Sequence, residues 1–178
     1  MLLDTEIHEI ELELTGTCNL DCPLCSRNNP AAMHLLVKNH RPVEEIIKTI
    51  EKFPNLKRIC IAGIISEPTL YKDFKRLILY IGIRDLEVEL YTNASAHDKF
   101  WWSELGEVFP PNIKISFTVC GSTQELHEKY RKGSNLNKKI YTLCIYNGLK
   151  VELEPTKHTK LILLNFSLNK IINKLNIP

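Results

Sequence analysis

Residues 9–30 read EIELELTGTCNLDCPLCSRNNP, and they hold the two features that decide the fold. The first six residues alternate glutamate with isoleucine or leucine, which is the two-residue period of a strand with one apolar face. The next helical pattern begins only at Pro42 and continues to Phe53. A loop of about 27 residues therefore separates strand and helix, and loops of that length usually carry function.

The loop contains Cys18, Cys22 and Cys25 in a C-x3-C-x2-C spacing. Disulphides are rare in the cytosol, so metal ligation explains this spacing better than cross-linking. A cubane iron–sulphur cluster normally takes four thiolates, one per iron. Three cysteines would leave one iron open to an outside donor, as in catalytic metal sites. The alternative is a closed zinc site with a fourth ligand from His34, His40 or another cysteine.

Strand and helix patterns alternate along the rest of the chain. This alternation predicts repeated β-α units and a largely parallel sheet, so the class is α/β. The expected strands after the first are 56–63, 86–91, 113–119, 150–154 and 161–166, and the expected helices are 42–53, 70–81, 97–108, 123–131 and 167–175.

One face of the predicted sheet is polar, although parallel sheets are usually apolar on both faces. Its members are Glu9, Glu11, Glu13, Glu87, Glu89, Lys114, Ser116, Thr118, Glu152 and Glu154. We favour a wide, incompletely closed barrel with a polar interior over a sheet with one solvated face. Lys114 is expected to oppose glutamates there. The remaining cysteines, at positions 60, 120 and 144, are expected to be small buried side chains.

The cysteine loop after a first strand resembles that of the radical S-adenosylmethionine (radical SAM) superfamily, and the resemblance extends over residues 8–135. It implies a partial (β/α)6 TIM-like barrel in a single domain over residues 1–178, without an accessory-cluster domain. Residues 136–178 match poorly, so the barrel is expected to be truncated at its C-terminus or completed by a partner. The implied metal centre is one [4Fe-4S] cluster held by Cys18, Cys22 and Cys25.

Two further segments resemble family motifs at the ends of strands. Ile65-Ser66-Glu67-Pro68 is similar to a G-G-E-P motif, which implies that Glu67 binds the amino group of S-adenosylmethionine. Tyr91-Thr92-Asn93-Ala94 is similar to a T-N-G motif and implies that Asn93 points inward. Ile65, Ser66 and Ala94 stand where the family has glycine.

The remaining implied cofactor contacts are single residues. Ser116 and Thr118 resemble the polar positions that contact the ribose, and Arg131 in HEKYRKG resembles an arginine often found just beyond them. Leu24 occupies the position, commonly aromatic in the family, that lies against the adenine.

The resemblance implies an enzyme that cleaves S-adenosylmethionine reductively into methionine and a 5'-deoxyadenosyl radical, which abstracts hydrogen from a substrate. The electron would come from an external flavodoxin- or ferredoxin-like donor. A peptide, a nucleobase or RNA, and a small metabolite remain open as substrates. The alternative is a non-catalytic or degenerate metal-binding module, or a fragment that needs a partner.

Bulk composition sets the broad class. The 178 residues are 44% hydrophobic and 25% charged, which is typical of a globular protein. Apolar runs fall far short of the roughly 20 residues of a membrane-spanning helix, and no secretory signal is evident, so we expect a cytoplasmic protein without a membrane partner. Residues 111–178 carry 11 Lys/Arg against 4 Asp/Glu, which fits either an anionic partner or a solvated basic face.

Overall fold

The computed structural model describes residues 4–30, 40–137 and 151–153. Within this range five parallel strands form one sheet in the order β1-β2-β3-β4-β5. Each strand lies beside its predecessor in the chain, which is the order of a β/α barrel rather than of a doubly wound sheet. The strands are β1 (Glu9–Leu12), β2 (Arg58–Ile61), β3 (Glu87–Thr92), β4 (Ile113–Phe117) and β5 (Val151–Leu153).

The described residues between the strands form four α-helices, namely α1 (Val43–Ile50), α2 (Phe74–Ile83), α3 (Lys99–Val108) and α4 (Gln124–Tyr130). The α/β class and the parallel sheet predicted from the sequence are therefore confirmed. The expected strand 161–166 and helix 167–175 lie outside the described residues. No helix in the described part of the chain is long and apolar enough to cross a membrane.

Local sequence explains where the helices begin. Helix α1 follows Pro42 and has two glutamates in its first turn, where negative charge suits the helix dipole. The Asp98 carboxylate accepts from the backbone N–H of Trp101 at 2.9 Å and caps α3. The Thr123 hydroxyl accepts from Leu126 N–H at 3.2 Å and caps α4. Each such cap stabilises its helix by about 1 kcal/mol.

The helices cover the apolar face of the sheet. Ile59, Val88 and Ile115 point from neighbouring strands into the core and are at most 2% exposed. The largest side chains buried with them are Trp102, Tyr71, Phe74 and Phe117. Burial alternates along β3 from one residue to the next, so the period-2 pattern of the sequence reports the two faces of this strand.

The opposite face carries the charges predicted for it, arranged in register across the strands. Glu9, Arg58 and Glu87 lie side by side, and Arg58 forms ion pairs with Glu9 at 3.6 Å and Glu87 at 3.2 Å. Lys114 opposes Glu89 at 3.0 Å. A hydrogen bond from the Tyr91 hydroxyl, together with Lys114, lowers the pKa of Glu89. The expected pairing of Lys114 with a glutamate is confirmed.

Strand β1 ends earlier than the sequence pattern indicates. The alternation continues to residue 14, but the strand stops at Leu12. Exposure nevertheless keeps alternating beyond the strand, with Glu13 exposed and Leu14 buried, and the Glu13 carboxylate accepts hydrogen bonds from the loop after β2. Glu13 thus lies at the carboxyl end of the sheet, next to the loop after β2.

Candidate metal and cofactor site

The three loop cysteines line one cavity of about 120 Å³ at the carboxyl ends of the strands. The other residues lining this cavity are Leu20, Arg27, Gly63, Ile64, Ile65, Ser66, Glu67, Tyr91, Thr92, Asn93, Thr118 and Arg131. The list includes residues from the cysteine loop, from the segments after β2 and β4, and from both the end of β3 and the loop beyond it. Residues far apart in sequence thus meet where barrel sites form.

The C-x2-C half of the cysteine loop is a hydrogen-bonded turn. Cys25 N–H donates to the Cys22 carbonyl at 3.1 Å, and the Asn28 side-chain amide donates to the same carbonyl at 2.9 Å. Arg27 then ties the turn to the rest of the site, because its guanidinium donates to the carbonyls of Gly16 at 2.8 Å and Ile65 at 2.6 Å. The cysteine loop and the loop after β2 are therefore held together directly.

Hydrogen-bond donors face two of the three sulphurs. Cys18 Sγ accepts from Leu20 N–H at 3.5 Å and from the Asn93 side-chain amide at 3.6 Å. Cys22 Sγ accepts from the Arg131 guanidinium at 3.9 Å. Burial raises the pKa of the Cys18 thiol, and the Leu20 N–H opposes that rise. Because N–H groups directed at sulphur stabilise thiolate ligands, this donor set fits an iron–sulphur centre.

The described residues do not form the group of ligands that a zinc site requires. Among the described residues no three His, Cys, Asp or Glu side chains are grouped so that they could hold one metal ion. A cubane does not need such a group, because each thiolate binds a different iron. Of the two candidate histidines, His34 lies outside the described residues and His40 packs its ring against Tyr71, with centroids 5.8 Å apart.

Glu67 is the polar centre of the site and is 1% exposed. Its Oε1 accepts from Thr69 N–H at 3.2 Å, the Thr69 hydroxyl at 2.6 Å and the Thr92 hydroxyl at 2.5 Å. Its Oε2 accepts from Asn93 N–H at 2.7 Å. A carboxylate offers about four acceptor positions, two per oxygen. The carboxylate thus joins the segments after β2 and β3, and Oε2 accepts from one described donor whereas Oε1 accepts from three.

Glu13 fixes the loop after β2. Its carboxylate accepts from Ile64 N–H at 3.1 Å, Ile65 N–H at 3.3 Å and the Ser66 hydroxyl at 2.6 Å. The glycine that this loop requires is Gly63, where a Cβ would lie 2.2 Å from the Ser66 carbonyl oxygen. Ile65 and Ser66 are therefore accommodated by the loop. Sequence reasoning missed this role of Glu13, because strand parity placed it with Glu9 and Glu11.

The segment after β3 takes a glycine-like shape without glycine. Ala94 is fully buried and has φ +50°, a left-handed conformation that costs a residue with a Cβ about 1–2 kcal/mol. Its N–H donates to the Thr92 hydroxyl at 3.0 Å, and Ser95 N–H donates to Asn93 Oδ1 at 2.8 Å. These contacts hold the turn that directs the Asn93 side chain toward Cys18.

The other predicted cofactor contacts divide into two groups. Thr118 and Arg131 line the cavity with the cysteines. Ser116 is 4% exposed and pairs with Tyr91 across the sheet, and it is not among the residues lining the cavity. Leu24 also lies outside the lining and is 90% exposed.

The two described cysteines outside the loop have distinct surroundings. Cys60 is only half-buried and lies on the polar face, so the expectation that it is buried is wrong; burial together with Glu11 and Glu89 raises its pKa to about 11. Cys120 is buried as expected, but its sulphur accepts from Arg131 Nε at 3.2 Å. Cys120 thus lies one guanidinium away from Cys22, a proximity that its apolar sequence context did not indicate. Cys144 lies outside the described residues.

Comparisons with known proteins find similar sequences and similar structures. The model of the radical SAM superfamily matches residues 12–150. The tungsten-containing aldehyde ferredoxin oxidoreductase cofactor-modifying protein of Pyrococcus furiosus is 28% identical over 125 residues, which are 65% of this chain and 32% of that protein.

Solved structures show the same fold at low identity. Streptococcus suis SuiB bound to precursor peptide SuiA matches with a TM-score of 0.65 and 19% identity, over 94% of this chain and 36% of SuiB. Histidine-tagged anSMEcpe with bound AdoMet matches with a TM-score of 0.60 and 18% identity, over 84% of this chain and 42% of anSMEcpe. The chain spans about a third of the length of the Pyrococcus protein and of SuiB.

Proposed function

Because the chain belongs to the radical SAM superfamily, whose cofactors are a [4Fe-4S] cluster and S-adenosylmethionine, we propose that it is an enzyme that cleaves S-adenosylmethionine reductively. The observation that carries the proposal is the single cavity that Cys18, Cys22 and Cys25 share with Glu67. The proposed ligands of the metal centre and a buried carboxylate that can accept from an ammonium group thus lie together at the carboxyl end of the sheet.

The three loop cysteines are the proposed cluster ligands. Their thiols line the same cavity, and the donors at Cys18 and Cys22 support their ligation as thiolates. These three cysteines would hold three of the four irons, and the fourth would be available to the amine and carboxylate of the methionyl group. When bound, the cluster supplies the electron that breaks a carbon–sulphur bond to give methionine and a 5'-deoxyadenosyl radical.

The residues of this chain bind and orient the cofactor. Glu67 Oε2, which accepts from one described N–H, is the proposed acceptor for the methionyl ammonium. Glu13 and Arg27 position the neighbouring loop, whose backbone lines the cavity. Thr118 and Arg131 are proposed cofactor contacts because both line the cavity.

Two other predicted contacts require the cofactor to extend beyond the lined cavity. Leu24, exposed beside Cys25, would cover the adenine if the nucleoside lies across the mouth of the cavity. Ser116 would contact the ribose from the next position inward on β4, two residues before Thr118. These proposals rest on the sequence resemblance.

The proposed chemistry consumes one electron per cleavage and therefore requires an external donor, for which a flavodoxin- or ferredoxin-like protein is suited. The names of the relatives supply two substrate classes to test. SuiB holds a precursor peptide, and the Pyrococcus protein is named for modifying a cofactor. Either substrate would present its carbon–hydrogen bond at the open side of the cavity.

The test is anaerobic reconstitution with iron and sulphide, followed by chromatography for 5'-deoxyadenosine after adding dithionite and S-adenosylmethionine. We expect product from the wild type and loss of both cluster and product in Cys22→Ala. Cys60→Ala is the matched control, since Cys60 lies on the polar face outside the cavity, and it should keep both.

Electron paramagnetic resonance separates the enzyme from the non-catalytic module. An open iron predicts that the signal of the reduced cluster changes when S-adenosylmethionine is added. A signal indifferent to S-adenosylmethionine, with no product, would refute the proposed function and leave a non-catalytic cluster-binding module. Retention of the cluster in Cys22→Ala would refute the ligand assignment.

A further inference from the structure

A chain of buried hydrogen bonds connects α4 to the cysteine loop. His127 is fully buried, and its Nδ1 accepts from Cys120 N–H at 3.1 Å. Its Nε2 lies 2.9 Å from Ser134 Oγ, and Ser134 Oγ lies 2.9 Å from Ser95 Oγ. The Ser95 hydroxyl donates to the Asn93 carbonyl at 3.1 Å. Five residues thus form one continuous path that ends at the cavity.

The backbone donor at one end fixes the direction of every proton in this chain. Because Cys120 N–H donates to Nδ1, the imidazole of His127 is neutral and carries its proton on Nε2. Nε2–H therefore donates to Ser134. Since the hydroxyl of Ser95 already donates to Asn93, the hydroxyl of Ser134 must donate to Ser95. Each polar group in the path has its partner, which makes the network rigid.

The same logic fixes the side-chain amide of Asn93. Its Oδ1 accepts from Ser95 N–H at 2.8 Å, so the oxygen is committed to the turn. Its Nδ2 then faces Cys18 Sγ at 3.6 Å and Asn19 Oδ1 at 3.1 Å. The group presented to Cys18 is therefore a hydrogen-bond donor, and the anchored Ser95 holds it in place.

We propose that Asn93 donates an N–H···S hydrogen bond to the Cys18 thiolate of the bound cluster, and that His127, Ser134 and Ser95 are positioning residues that hold this donor and raise the cluster's reduction potential. The inference rests on the proposed function. One-electron reduction adds one negative charge to the cluster and its thiolates. A donor at sulphur stabilises the reduced form more than the oxidised form, which raises the potential.

The test is an EPR-monitored redox titration of the reconstituted full chain without S-adenosylmethionine. Asn93→Leu removes the donor and should lower the midpoint by about 59 mV, equivalent to a tenfold change in the one-electron equilibrium constant. Ser134→Ala keeps the Asn93 side chain but removes the Ser134 hydroxyl that holds Ser95. It should shift the midpoint in the same direction. Ser103→Ala, on the exposed side of α3, is the matched control and should leave the midpoint unchanged.

A purely structural role predicts a different pattern, in which Ser134→Ala lowers the unfolding midpoint and leaves the potential where it was. That pattern, or an unchanged potential in Asn93→Leu, would overturn the inference. Product formation by the wild type would still support the proposed function in that case. A wild-type chain that assembles no cluster would refute both. Ser95→Ala repeats the anchor test should Ser134→Ala fail to fold: a lowered potential supports the inference, and an unchanged potential overturns it.

Discussion

Replacing Glu67 with glutamine should destabilise the protein before any ligand is considered. The carboxylate is 1% exposed and accepts from four donors. A glutamine oxygen in the Oε1 position keeps the three donors there, but its NH2 group then faces Asn93 N–H across 2.7 Å. Turning the amide over sets the NH2 group against Thr69 N–H instead. Either orientation of the amide therefore places two buried donors against each other.

The size of the effect follows from these contacts. A buried donor left without its acceptor costs about 1–3 kcal/mol, and hydrogen bonds to a neutral acceptor are weaker by about 1 kcal/mol than bonds to a charged one. We therefore expect Glu67→Gln to lower the free energy of unfolding by about 2–4 kcal/mol. For a chain of this size, that corresponds to a fall in Tm of about 5–15 °C.

The assay is urea denaturation of the metal-free protein followed by circular dichroism. Glu107→Gln is the matched control because Glu107 is exposed on α3, and it should change the stability by less than about 0.5 kcal/mol. If Glu67→Gln unfolds at the same urea concentration as the wild type, the central role given to this carboxylate is wrong. If the prediction holds, weaker S-adenosylmethionine binding by this variant cannot by itself identify a direct contact.

Two other changes test how the loops around the site are held. Gly121→Ala should destabilise the protein by about 1–3 kcal/mol, because the new Cβ would lie 2.4 Å from His127 N in α4. Gly106→Ala, at an exposed position of α3, is the control and should stabilise the protein by about 1 kcal/mol. Equal urea midpoints for the two variants would contradict the prediction. Glu13→Ala should speed amide hydrogen exchange in the 63–66 loop at least about tenfold, and exchange rates like those of the wild type would show that the carboxylate does not hold the loop.

Much of the fold could be predicted because it follows from the regular spacing of apolar residues within single strands and helices. The alternation in β3 reports two faces of a strand, and the spacing of Phe74, Leu77, Ile78 and Ile81 reports the buried side of α2. The C-x3-C-x2-C spacing likewise predicted that three thiols share one place, and the cavity contains all three. Signals of this kind need no knowledge of distant contacts.

The parts that escaped prediction depend on contacts between loops. Glu13 continues the period of β1 in the sequence, and nothing in that period indicates that its carboxylate accepts from two backbone amides beyond β2. The sequence around Cys120 is apolar and gives no sign of Arg131, eleven residues later, whose guanidinium reaches both Cys120 and Cys22. Pairing between distant loops leaves no period in the sequence.

Ala94 shows why a motif written in residue letters differs from the shape that it stands for. The family has glycine at this position, and glycine replacements of this kind favour the degenerate module. The backbone nevertheless keeps φ at +50°, with the Thr92 hydroxyl bonded to Ala94 N–H. Alanine can occupy this conformation at a cost of about 1–2 kcal/mol, so the turn survives the substitution.

The position of Glu67 between two strands also bears on how the sheet assembles correctly. A slip of β2 against β3 by two residues would keep every side chain on its proper face and would still set Arg58 opposite a glutamate, Glu89 in place of Glu87. Neither the alternation of buried and exposed side chains nor the pairing of Arg58 with a glutamate would exclude the slipped register. The slip would, however, move the loop ends apart by about 7 Å, separating Glu67 from Thr92 and Asn93 and leaving a buried carboxylate short of donors. Glu67, which is proposed to bind the cofactor, would therefore also disfavour this slipped register of β2 against β3.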